Sequence, residues 1–190
     1  MKFYYTTSEG VDKVQQNPAN SIGGYMSSTP VPNGRLNSLF DDITERQLTD
    51  PQSSYIGLML VNDSLTTVTG LKIWVDNKDI ANTLYSDFQI ALETPQLDAG
   101  LNPYIERLSD VHSMPFSGTF TGCLGVANAI TIPDMVAGAQ IGVWFQSTPQ
   151  VSQALADYND SIMALPDQSG AFEQAPLITQ DNILVQLSWN

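Results

Sequence analysis

Cysteine and histidine are almost missing from this sequence, with Cys123 and His112 the sole example of each. A single thiol cannot close an intramolecular disulfide, so cohesion has to come from packing. One histidine and one cysteine also exclude the usual zinc spacings, which need clustered ligands. Positive charge is equally scarce. Seven Lys and Arg face twenty Asp and Glu, for a net charge of −13, and no Lys or Arg follows Arg107. Nucleic acid and anionic lipid are held through Lys and Arg, so this chain is expected to bind neither. No run of about 18 apolar residues is present, and MKFYYTTSEG lacks an apolar stretch of signal-peptide length. The expectation is a protein made in a cytoplasm that does not insert in a membrane.

Charged residues of both signs make up only 14% of the chain, against about a quarter in typical domains. Asn, Gln, Ser and Thr take their place. Such amide- and hydroxyl-rich surfaces are common where proteins pack in large extracellular or virion assemblies. A length of 190 residues fits one domain with a sizeable core.

The strongest signal lies between Tyr55 and Asn77. In YIGLMLVN both faces are apolar, with Ile56, Leu58 and Leu60 on one side and Tyr55, Met59 and Val61 on the other. That fits a central strand better than an edge. In LKIWVDN, Leu71, Ile73 and Val75 alternate with Lys72, Trp74 and Asp76, a strand with one wetter face. The two are expected to pair as the core hairpin of a sandwich. Further strands are predicted around Phe88, Ile90 and Leu92, around Phe116, Gly118 and Phe120, and at Ala129–Ile132. Two more follow, one in QIGVWFQS with Trp144 looking outward, and one from Ile183 to Trp189. The segment from Thr148 to Asp181 has no clear period, and NKDIANTLYSD has short helical potential. Thr44 and Gln47 have capping-box spacing for a helical turn reaching Leu48.

Before these strands, residues 1–38 are rich in turn and breaker signals: Asn17-Pro18, Gly23-Gly24, Thr29-Pro30 and Pro32-Asn33-Gly34. KFYYTT and IGGYMSS have the pattern of short strands within an extended arm. About seven or more short strands without a convincing long helix predict an all-β, immunoglobulin-like β-sandwich with long loops over residues 39–190, preceded by the N-terminal arm over 1–38. The arm is expected to dock on, or donate a strand to, a neighbouring subunit. Its candidate partner-binding residues are Phe3, Tyr4, Tyr5, Ile22 and Tyr25, with Leu39 and Phe40 anchoring it to the core.

Reactive chemistry has little to work with. Asp110, His112 and Ser113 are too close in an extended loop to converge as a triad. His112 and Cys123 have the residue types of a dyad, with no motif around either. The oxygen-rich runs Asp76-Asn77-Lys78-Asp79 and Asp157-Tyr158-Asn159-Asp160 lack the glycine and distal glutamate of a calcium loop. Asp41 and Asp42 are adjacent and point apart. No nucleophile elbow, phosphate loop or dinucleotide fingerprint occurs. The expectation is no enzyme, no metal and no cofactor. Trp74, Trp144 and Tyr104 are candidates for stacking on a sugar, weighed against ordinary core or interface roles.

SIGGYMSSTPVPN, LFDDIT, YIGLMLVNDS and LKIWVDN, followed by MPFSGTFTG and ITIPDMVAGAQIGVWFQST, resemble the structural proteins of tailed-bacteriophage virions. The likeness covers about two-thirds of the chain. It departs after Thr148, where this chain is longer and more polar. The resemblance implies an immunoglobulin-like β-sandwich built into a virion in many copies. The auxiliary capsid (decoration) role is favoured, with the major capsid protein or other virion proteins as partner. A collar, tail or fibre-attachment component is the runner-up, and a carbohydrate-binding module contacting the host surface is the alternative from another class.

Overall fold

A computed structural model describes residues 1–32, 39–40, 50–77, 86–116, 118–149 and 183–189. Among these residues the chain is all-β with almost no helix. Its strands are β1 (Lys2–Thr7), β2 (Gly24–Pro30), β3 (Ser54–Val61), β4 (Lys72–Asn77), β5 (Ser86–Glu93) and β6 (Gln96–Leu97). They continue with β7 (Pro103–Ile105), β8 (Thr121–Gly122), β9 (Ile130–Thr131), β10 (Gln140–Pro149) and β11 (Ile183–Ser188). Short 3-10 turns lie at Pro18–Asn20 and Val126–Asn128. Eight strands form one antiparallel sheet in the order β6-β7-β2-β1-β3-β10-β5-β8, and three form a small sheet, β11-β4-β9.

β3 is central, between β1 and β10, as its two apolar faces require. Ile56, Leu58 and Leu60 enter a core shared with Ile141, Val143 and Phe145 of β10, Phe88 and Ile90 of β5, and Ile73 and Val75 of β4. This main core therefore joins residues of both sheets. Tyr55 and Met59, on the opposite face of β3, enter a second core with Ala91, Ile105, Leu108 and Trp144.

The second core exists because the large sheet curls. β7 is separated from β10 by β2, β1 and β3, yet Ile105 of β7 lies directly over β10. Glycines make the room. A Cβ on Gly142 would come 2.4 Å from Ile105, and one on Gly57 would come 2.8 Å from the Trp144 ring. Gly23, at φ +92°, brings its backbone against the Glu106 carbonyl, where no side chain fits.

Several sequence expectations change here. The strands β3 and β4 form no hairpin; they belong to different sheets. The chain between them is pinned by Asn62, whose Nδ2 donates to the Thr66 and Met135 carbonyls, both at 2.8 Å. Those bonds, with the Val68–Met135 bridge, turn the connection across rather than back.

Residues 1–32 are not an arm. β1 lies between β2 and β3 inside the sheet, so a boundary at 38/39 does not separate a leader from the fold. The breakers read as leader signals serve a tight return instead. Thr6 and Ser21 hydroxyls both donate to the Gly57 carbonyl, at 2.8 and 2.7 Å, and the Gly23 N–H donates to Thr6 at 2.9 Å.

Among the described residues, Phe116, Gly118 and Phe120 lie in no strand. β8 holds only Thr121–Gly122, and Phe116 is 97% exposed. Trp144 does not look outward to solvent; it is fully buried in the second core. The helical turn at Thr44–Leu48, Asp41, Asp42, residues 78–85 and the run 150–182 lie outside the described residues.

Candidate functional site

The residues expected to bind a partner are used largely by the chain itself. Tyr5 and Phe40 are buried in the main core, with Phe3 and Leu39 packed against it. The Phe3 ring meets Phe145 edge-on at 6.1 Å, and Phe40 meets Phe88 at the same distance. Tyr4 is half-buried opposite Met59 in the sheet, and Ile22 packs against the second core. Tyr25 alone of the seven belongs to a surface arrangement.

The reactive candidates do not assemble. Cys123 is fully buried, its thiol donates weakly to the Phe88 carbonyl, and burial pushes its pKa up to about 12. A thiol so protected is a poor nucleophile. His112 is exposed, with Nδ1 3.0 Å from the Ser53 carbonyl oxygen. The backbone N–H of His112 is instead the main group holding Asp110 below the usual carboxylate range. Among the described residues no group of three or more His, Cys, Asp or Glu side chains is placed to hold a metal. Among the same residues no helix is long and apolar enough to cross a membrane.

A buried polar chain was not legible in sequence. Glu93 is only 4% exposed, although the alternation of β5 puts it on the wetter side. Its Oε2 accepts from the Trp144 indole N–H at 2.7 Å, and its Oε1 accepts from the Glu106 N–H at 2.8 Å. Glu106 in turn accepts from the Phe116 N–H at 2.8 Å. The chain of bonds ties β5, β10, the end of β7 and the loop after it into one block.

The arrangement with most capacity for an external ligand lies on β2, β7 and β6. Tyr25 stands opposite Tyr104, and Tyr104 opposite Gln96, so three side chains form a row across three strands. The rings are 5.8 Å apart and tilted by 51°. Tyr104 donates to the Gln96 side-chain oxygen at 3.0 Å, and Tyr25 donates to Asp98 at 3.0 Å. That bond raises the Tyr25 phenol above its ordinary pKa. Asp98 is held below the usual carboxylate range, first by the Asn102 backbone and side-chain N–H groups and then by Tyr25 and Gly100. Both rings are half-buried, so the row is fixed before any ligand arrives. The turn signal Asp98-Ala99-Gly100-Leu101-Asn102 was available in the sequence; its pairing with Tyr25 was not.

Comparison with known proteins finds no family model that matches the chain, no matching curated protein and no matching solved structure.

Proposed function

We propose that this chain is a structural protein of a tailed-bacteriophage virion, an auxiliary capsid protein whose immunoglobulin-like β-sandwich seats on the major capsid protein. The observation that supports it is where the resembling segments fall. YIGLMLVN is β3 with its Asn62 pin, LKIWVDN contains β4, and the run from Ile130 to Phe145 carries β9 into β10. These segments build the core between the two sheets, so the likeness follows the framework of the fold. The mechanism is binding. A rigid block makes small contacts, and repetition over many copies turns them into high avidity. Since residues 1–32 belong to the sheet, attachment falls to the outer surface of the block. Leu65, Phe116 and Leu101, at 97%, 97% and 75% exposure, are its most exposed large apolar side chains among the described residues. The acidic surface suits a basic patch on the shell and keeps free subunits apart before assembly.

Quantitative mass spectrometry of purified particles tests this directly. A copy number equal to that of the major capsid protein, or a simple fraction of it, is expected. A count matching the neck or tail components assigns the chain to the collar or tail instead. Absence from particles overturns the virion assignment.

Glycan binding is the second reading, favoured by the Tyr25–Tyr104–Gln96 row. Tyrosine rings offer a flat apolar face, and the neighbouring amides offer donors and acceptors for hydroxyls. Titration against neutral glucose and N-acetylglucosamine oligosaccharides decides it. Tyr104→Ala should then weaken binding about tenfold, or ~1.4 kcal/mol. No binding by the unaltered protein sinks this reading.

A further inference from the structure

Aromatic rings attract cations as well as sugars, and the Tyr25–Tyr104–Gln96 row carries features that separate the two. Met26 and Ile105 point into the second core, so their neighbours Tyr25 and Tyr104 project from the other face of the sheet. Both rings are half-buried, stand 5.8 Å apart at 51°, and keep part of their surface open. Their phenol protons are already spent, Tyr104 donating to Gln96 and Tyr25 to Asp98, each at 3.0 Å. The two hydroxyl oxygens therefore keep only acceptor capacity. Asp98 adds a carboxylate whose hydrogen bonds come from uncharged donors on Tyr25, Gly100 and Asn102. Among the described residues no Lys or Arg pairs with Asp98, and none stacks on either ring. The row is rich in negative potential and has no cation of its own among those residues.

We propose that this row is a guanidinium site, holding an arginine side chain of the protein partner on which the block seats. An arginine head is flat, always charged, and furnished with N–H donors and no acceptor. It can stack on a tyrosine face while its edge donates to the phenol oxygens, with the Asp98 charge one hydrogen bond away. Charge matches as well as shape, since a chain carrying −13 draws a basic partner toward it. Lysine fits less well, because its point charge has no plane to lay on a ring. A neutral sugar gains nothing from the carboxylate or from the net charge. That the arginine belongs to the shell protein rests on the virion reading; the site itself does not.

The test uses the purified full chain and a blocked arginine, N-acetyl-arginine methylamide, followed through the NMR signals of the Tyr25 and Tyr104 rings. Saturable shifts of both rings are expected, and sodium chloride should weaken the binding. N-acetyl-citrulline methylamide, a neutral near-isostere, should bind the unaltered protein about tenfold more weakly. Tyr104→Leu should lower arginine affinity by a similar factor, whereas Tyr104→Phe, which keeps the ring, should retain most of it. Equal binding of citrulline and arginine overturns the proposal, because stacking without charge then accounts for it. So does the absence of saturable shifts with arginine, whatever the copy number in particles turns out to be. Saturation by an N-acetylglucosamine oligosaccharide and not by arginine overturns it too, and gives the row to glycan.

Discussion

At the residue scale the most informative side chain is Trp144. The alternation of β10 assigns it correctly to the face opposite Ile141, Val143 and Phe145. Parity cannot say whether that face meets water. The cover comes from Ile105 and Leu108, remote in sequence, and from glycines whose function is to be small. Glu93 was hidden for the same reason, since its partner is the indole N–H of a tryptophan that the local pattern turns outward. Replacing Trp144 by Phe keeps most of the apolar area but leaves one oxygen of a buried carboxylate without its donor. The expected cost is about 1–3 kcal/mol, read as a lower urea midpoint at unchanged m-value. An unaltered midpoint would mean that water replaces the indole at no cost, and that the network adds little.

At the element scale, strand positions were easier to read than strand partners. β4, β5, β10 and β11 all sit where alternation puts them, because period-2 patterning is local. Pairing is not local. The segment read as an arm supplies β1 and β2 because Phe3 and Tyr5 face the core, a fact visible only once β3 and β10 are placed. Phe116 was read into a strand from alternation, but it follows Pro115, which cannot donate to a ladder, and its side chain faces solvent.

The β6–β7 hairpin shows how one charged group can hold such an element. Asp98 ties its turn together and reaches across to Tyr25 on β2. Its pKa in the fold is depressed, so its contribution is fully present above the ordinary carboxylate value of about 3.9 and is lost as pH falls below that value. Asp98→Asn should therefore melt lower than the unaltered protein at neutral pH, and the gap should close on acidification. Melting curves for both proteins across a pH series give the answer. A gap that stays constant with pH would assign the loss to turn geometry rather than charge.

At the scale of the whole molecule, all-β class followed from many short alternating segments with turn residues between them. The division into an eight-stranded and a three-stranded sheet did not. It depends on the turn at Asn62 and on the curl that closes the second core, and both are made by contacts between distant residues. The tyrosine row was half legible, since Tyr104 stood out as an aromatic and Tyr25 was assigned to another element altogether.

The place of β3 also governs how the chain comes into being. Val61 is paired with Gln140, so the ribosome makes one long before the other. At typical synthesis rates the interval is on the order of ten seconds. Throughout it the strand has apolar residues on both faces and lacks its longest partner. Sheets closed by such distant pairings fold slowly and leave sticky surface uncovered meanwhile. The vulnerable moment of this protein is its birth, between the emergence of two strands, rather than any later stage of the finished fold.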